Sequence, residues 1–399
     1  MKKLTIAIAV SSALISGASF AGNVDTMIFQ NANNNDVTVT QNTGGAALAN
    51  GNKAKETITY GNHNKIDILQ TGERNVSKTA INGEAGKRSN RNKLRVKQIG
   101  DDNKANIALN GGKSKHNKLK IVQKGDENKS KITLERNADR NTAKVKIHGT
   151  TPWGSSDHNT TKSTFGRGAD DNRLNIEIEK GAYNKVKTSV ANHSDDNKAK
   201  VGIHYGLENK VVIAQDGDEN KAKVYLSVAG FNDVGIAQDG DYNTAKVDIH
   251  YGAYNTVDIA QDGDDNLAKV DISGGLGNNV NIAQDGDDNL AKVDISLGLD
   301  NNVNIGQEGH DNTAKVDITH GAHNTVDIEQ DGYDNLAKVD VSHGSDNDVD
   351  IEQIGHDATA KVSLYHSNYN MIDVTQNNND SSTITANYSN NNSAIVVQN

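Results

Sequence analysis

The sequence contains no cysteine, which excludes disulfides and thiolate metal sites. Its one proline, Pro152, and its one tryptophan, Trp153, stand side by side in a chain of 399 residues. Aromatics make up 4%, too few for a core built on large rings. Hydrophobic residues reach only 34%, against roughly 45–50% in globular chains, a gap wider than glycine accounts for. No apolar run is long enough to span a bilayer as a helix. Composition this lean fits disorder, but the apolar residues that are present fall at regular intervals, which disorder does not produce.

The first 21 residues, MKKLTIAIAVSSALISGASFA, read as a secretory signal peptide. Lys2 and Lys3 form its charged start, Leu4 to Ile15 its apolar stretch, and Ser19 and Ala21 the small residues a signal peptidase reads. Cleavage is expected after Ala21. The expected context is therefore extracellular, and stability has to come from something other than disulfides.

Two nearly identical stretches show what that is. "VDIAQDGDDNLAKVDIS" at 257–273 and "VNIAQDGDDNLAKVDIS" at 280–296 differ only where Asp258 gives way to Asn281. One catalytic pocket needs no second copy, whereas a structure that stacks on itself does. Gln215, Gln238, Gln261, Gln284, Gln307, Gln330, Gln353 and Gln376 recur every 23 residues. Six positions before them stand Asn209, Asn232, Asn255, Asn278, Asn301, Asn324, Asn347 and Asn370, and five positions after them Asn220, Asn243, Asn266, Asn289, Asn312 and Asn335, with Ala358 closing that series. A fixed period in this range marks a solenoid or array.

Within a period the apolar residues alternate as in a strand. Asn255, Val257, Ile259 and Gln261 share one face, and after the "DGDD" turn so do Asn266, Ala268, Val270 and Ile272. Such a unit cannot bury its inner face alone, but units stacked about 4.8 Å apart turn each inward position into a column. The expected fold is all-β: a parallel β-solenoid with two strands per 23-residue rung. Buried amides then bond the same amide above and below, which only a strictly repeated position allows. The glycines two places after each glutamine, such as Gly263 and Gly286, are expected to supply positive φ in the arc.

Upstream the spacing loosens. Gln70, Gln98 and Gln123 keep the following Gly and Asn, while "NTAKVKI" (141–147) and "NRLNIEI" (172–178) read as second-strand copies without a preceding glutamine. The segment 149–168 matches no strand pattern and reads as an insertion loop or hinge. The expected organisation is a signal peptide (1–21), basic irregular repeats (22–148), the insertion (149–168), transitional repeats (169–208) and regular acidic repeats ending in rungs of low charge (209–399).

The unit N-x-V-x-I-x-Q-x-G-x-x-N-x-A-x-V resembles the curlin repeat of bacterial curli subunits, most closely from 209 to 376. The resemblance implies a secreted structural subunit of a cell-surface amyloid fibre that serves adhesion and biofilm matrix. It also implies self-association into a homopolymer, a nucleator subunit and an outer-membrane secretion pore as partners, with no cofactor and no catalytic or metal site. Where curlin repeats carry a second glutamine, this chain has Leu226, Ile249, Ile272, Ile295, Ile318, Val341 or Leu364, and only Gln398 restores it.

Charge divides the chain. Residues 22–200 hold 31 Lys+Arg against 19 Asp+Glu, and residues 201–399 hold 9 against 33, an asymmetry suited to attraction between copies. Lys246, Lys269 and Lys292 form an outward column with Asp248, Asp271 and Asp294 beside it, so neighbouring columns of opposite sign offset stacked like charges. The "QDGDDN" arcs read as a solvated acidic ridge. They hold oxygen ligands of the kind calcium takes, but not the nine-residue period of calcium β-rolls. His320, His343 and His366 should stack in the longer arc.

An enzyme would need a non-repeating cluster of acids, bases and aromatics, and Asp157 with His158 lacks a partner for that role. Nucleic-acid binding lacks an aromatic stacking pattern, and no membrane insertion is expected. The alternatives that remain are a non-polymerising surface adhesin that binds carbohydrate, and a fibre nucleator.

Overall fold

The computed structural model describes residues 23–42, 51–148 and 157–398, apart from 321, 344, 367, 386 and 388–390. The expected signal peptide and residues 149–156 of the expected insertion lie outside the described residues. Among the described residues there is no helix, and every pairing between strands is parallel. The chain is a parallel β-solenoid made of two compact units, residues 1–207 and 208–399.

In the second unit one sheet runs from Lys210–Gln215 through Thr256–Asp262 and Asn279–Asp287 to Ser393–Val397. The other carries Lys221–Ser227, Thr244–His250, Leu267–Ser273, Leu290–Ser296 and Thr313–Lys315. Pairing places like residues on like: Val257 on Val280, Ile259 on Ile282, Gln261 on Gln284. Alternation follows from the pleat. Val257, Ala268, Val270 and Ile272 are fully enclosed, while Asp258 and Ala260 face out. Each enclosed Val or Ile contributes on the order of 1.5–3 kcal/mol, and the interior is narrow enough that amides fill the rest.

The arcs are tight for a visible reason. Gly263 sits at φ +102, and a Cβ there would lie 2.2 Å from the carbonyl oxygen of Gly286 in the next rung. Only glycine allows that approach. The residue just before most strand-opening asparagines is also left-handed without being glycine, as with Asp265 (φ 56), Asp288 (φ 56) and His323 (φ 54), whereas Gly277 takes that place before Asn278. Sequence reading assigned positive φ to the glycines alone. The recurring Asp, His or Tyr directly before Asn was the signal for this second position, since Asp and His are enriched there.

In the first unit one sheet holds Lys65–Thr71, Lys93–Ile99, Lys118–Lys124, Thr142–His148, Arg173–Glu179 and Lys198–His204. The other holds Lys53–Thr59, Val76–Asn82, Lys104–Asn110, Lys129–Leu134, Thr160–Phe165 and Lys185–Val190. Successive asparagines on the first of these sheets lie 28, 25, 24 and 31 residues apart, so the arcs absorb the length differences while the strands keep register.

Residues 142–148 stack on the glutamine-bearing strand 118–124, with Ile147 under Gln123, and 173–179 continue the same sheet. That sheet is also the one that carries the second strands Lys221–Ser227 and Thr244–His250, in keeping with the second-strand pattern of both segments. The expected insertion needs correction. The segment 149–168 contains a regular strand, Thr160–Phe165, paired on both sides. Its inward residues are Thr161, Ser163 and Phe165, all buried, and the two hydroxyl residues hid the alternation.

Candidate functional site

What repeats in this molecule is a set of hydrogen-bonded columns, and these are its candidate functional surface. Along the second unit the Nε2 of each glutamine donates to the Oε1 of the next. The distances are 3.0 Å for Gln215 to Gln238, 2.9 Å to Gln261, 2.8 Å to Gln284 and 2.9 Å to Gln307. The column continues through Gln330, Gln353 and Gln376, and Gln376 donates to Gln398 at 2.8 Å, so Gln398 closes this first column and does not restore the second-strand glutamine expected of it. The amide's second hydrogen crosses the interior. Gln284 Nε2 donates to the carbonyl of Asn289 at 2.9 Å, where the opposite sheet begins. Each glutamine thus joins rung to rung and sheet to sheet, at a net of about 0.5–1.5 kcal/mol per bond.

The first asparagine series does more than pair amides. Asn255 donates from both its backbone N–H (2.9 Å) and its Nδ2 (3.0 Å) to the Oδ1 of Asn232. The same double contact recurs at Asn278, Asn301, Asn324, Asn347 and Asn370, so each strand entry is held by the asparagine one rung before.

The second series, Asn220 to Asn335, departs from simple amide pairing. Asn243 gives its backbone N–H to Asn220 Oδ1 at 2.9 Å, but its Nδ2 goes to the carbonyls of Asp239 and Gly263. Asn266 and Asn289 likewise donate to Gly286 and Gly309. Arc carbonyls take these donors because the tight glycine arc turns them inward, leaving them to be satisfied. Asn312 adds the amide contact, to Asn289 Oδ1 at 3.1 Å, and the series closes where the backbone of Ala358 donates to Asn335.

A third column was not read from the sequence. The backbone N–H of Asp218 donates to Asp241 Oδ1 (2.6 Å), that of Asp241 to Asp264 (2.7 Å) and that of Asp264 to Asp287 (2.9 Å). One aspartate in each "QDGDDN" arc is thus committed to the neighbouring rung. Its signal was the aspartate directly after the arc glycine, and excess acidity in the same arc masked it.

In the first unit the glutamine column runs Gln41, Gln70, Gln98, Gln123 at 2.7, 2.9 and 2.9 Å. Ile147 ends it, and Gln123 Nε2 turns to Ser130 Oγ at 3.1 Å. One inward position in this unit breaks the pattern outright. Glu56 is 1% exposed, and its carboxyl is pushed up to about 9, first by burial and then by Asp25 beside it.

Outside, the expected opposite-sign columns meet. Lys246 pairs with Asp248, Lys292 with Asp294, and Lys338 with Asp340 at 2.6 Å. His320 stacks on His343 with ring centroids 5.0 Å apart, and His343 meets His366 at 4.4 Å. No group of three or more His, Cys, Asp or Glu able to hold a metal ion occurs among the described residues.

The model of the curlin associated repeat matches residues 232–271 and 321–355. No curated protein matches the chain. Both matched stretches lie in the unit with the regular 23-residue rung, and they contain Gln238, Gln261, Gln330 and Gln353 of the continuous column. The chain accordingly carries curlin associated repeats in these two stretches, within a β-solenoid whose rungs are fastened by amide ladders.

Proposed function

We propose that this chain is a secreted structural subunit of a curli-like amyloid fibre that serves cell-surface adhesion and biofilm matrix. In this reading copies stack end to end and extend the Asn, Gln, Val and Ile columns from one chain into the next. A nucleator subunit starts the fibre, and an outer-membrane pore exports the subunit. The observation that carries the reading is the unbroken glutamine column from Gln215 to Gln398. A column of identical donors and acceptors satisfies one more rung as readily as the last.

The outermost strands support it. Among the described residues Ser393–Val397 pairs on one side only, with Met371–Gln376, and exposes Ile395 and Val397. Val24–Gln30 pairs, among the described residues, only with Lys53–Thr59 and exposes Val24, Ile28 and Phe29. Unpaired apolar edges of this kind template further strands. Negative-stain microscopy of the purified chain, with a thioflavin assay in parallel, tests the proposal. Fibres that bind the dye are expected, and dispersed particles that stay dark over days contradict it.

The alternative, a non-polymerising adhesin for carbohydrate, has one observation in its favour. The long arcs of the second unit expose Phe231, Tyr251 and Tyr254, with Phe231 stacked on Tyr254 at 4.9 Å. Such rings offer faces to sugars, and the same microscopy separates the two readings.

A further inference from the structure

Each unit carries one sheet face whose charge is nearly all of one sign, and the two signs are opposite. In the first unit, strands Val76–Asn82, Lys104–Asn110, Lys129–Leu134, Thr160–Phe165 and Lys185–Val190 stand side by side in one sheet. Their outward positions include Lys78, Lys104, Lys129, Lys131, Lys162 and Lys187, all exposed. No outward position of these strands holds a carboxylate. None of the six lysines pairs with an acid among the described residues. Pairing stacks them in rows: Lys104 on Lys129, and Lys131 on Lys162 on Lys187.

In the second unit, strands Thr325–Tyr333, Asp348–His356 and Met371–Gln376 are adjacent in one sheet and present Asp327, Glu329, Asp348, Asp350, Glu352 and Asp373 outward. Asp327, Asp350 and Asp373 form one row, and Glu329 and Glu352 another. The outward positions in these rows hold no cation. Asp327 and Asp350 are held above the usual carboxylate range, first by burial and then by the neighbouring carboxylates, Asp348 for the one and Asp327, Asp373, Asp348 and Glu352 for the other. Elsewhere in this unit the Lys and Asp columns compensate each other on the same sheet, as Lys246 and Asp248 do. These acids have no such neighbour.

Both faces are built of parallel strands in register, so both repeat at the same strand spacing of about 4.8 Å along the stack. Rows of ammonium groups at that spacing match rows of carboxylates at the same spacing. A partner with an irregular charge pattern gains from only some of the rows.

We infer that the lysine face of one chain seats on the carboxylate face of a second copy, as a side-by-side contact separate from the stacking of open edges. In a fibre this contact bundles neighbouring filaments and gives their association a polarity, because the two faces belong to different units. The attraction is between exposed charges and is screened by salt.

The test mixes unlabelled and uniformly nitrogen-15-labelled full-length chains at low ionic strength and joins contacting amines and carboxylates with a zero-length carbodiimide. Mixed-isotope cross-links between Lys104, Lys131 or Lys162 and Asp327, Asp350 or Asp373 are expected, falling about tenfold at about 0.5 M salt. The set Lys104→Glu, Lys131→Glu and Lys162→Glu should abolish them. Adding Asp327→Lys, Asp350→Lys and Asp373→Lys should restore them at the reversed positions. The inference is overturned if restoration fails in chains that keep their β circular dichroism. It is equally overturned if mixed cross-links fall elsewhere, or if added polyphosphate occupies the lysine face while no mixed cross-link forms. Thioflavin signal read in the same samples separates the two contacts: dye-positive fibres without these cross-links overturn the lateral contact alone, and cross-links without fibres overturn end-to-end stacking alone.

Discussion

A single buried amide in this solenoid is bonded in three directions, which makes glutamine replacement informative. Gln284 accepts from Gln261, donates to Gln307 and donates to the carbonyl of Asn289. Gln284→Leu keeps the volume but strands a donor on Gln261 and an acceptor on Gln307. We expect a net loss of about 1–3 kcal/mol in denaturant titrations, after the apolar gain of leucine. The same change at solvent-facing Asn281 should cost under about 0.5 kcal/mol. Glu56 offers the reverse case. Its raised pKa means that the folded chain keeps a proton which the unfolded chain releases once pH passes the ordinary carboxyl range. The stability it contributes is therefore full at low pH and is lost progressively as pH rises to about 9. Glu56→Gln should flatten that slope. Hydrogen exchange of the 53–59 amides, followed from acid to alkaline pH, reads it directly, and an unchanged slope in the variant contradicts the assignment.

At the scale of the element, arcs and strands differ in how openly the sequence announces them. The regular rungs were legible because Val, Ile and Gln recur inward while Asp and Lys recur outward, so period and face coincide. Thr160–Phe165 was not, because Thr161 and Ser163 point inward with side chains that serve equally well outside. Strand 142–148 is legible from its local pattern, Asn141-x-Ala143-x-Val145-x-Ile147, which it shares with second strands of the same sheet such as Thr244–His250. The glycines were legible, whereas the left-handed Asp, His and Tyr before many of the asparagines were not, because those residues are also ordinary surface residues. Gly263→Ala puts a Cβ within 2.2 Å of Gly286 O at a φ of +102, and we expect a loss of about 1–3 kcal/mol or more, seen as a lower midpoint in denaturant titration. Ala260→Ser, two residues outside that arc on the exposed face, should leave the midpoint within about 0.5 kcal/mol.

For the whole molecule, the charge asymmetry seen in the sequence resolves into faces, and the low-charge segment 368–399 acquires a structural meaning. Its strands Met371–Gln376 and Ser393–Val397 cover the strand Asp348–His356. Removing 368–399 exposes an edge whose outward residues include Asp348, Asp350 and Glu352. Any added rung then stacks beside three carboxylates, so the truncated chain should extend preformed full-length seeds far more slowly than the intact chain. Elongation at the intact rate would show that this edge is not a polymerising surface. The central claim is that copies continue the ladders along the stacking axis, and diffraction from aligned fibres of the full chain tests it most directly. A sharp meridional reflection near 4.8 Å, with an equatorial spacing near 10 Å, is the predicted result. Fibres that place the 4.8 Å spacing on the equator would have strands running along the fibre axis, and that arrangement contradicts the account.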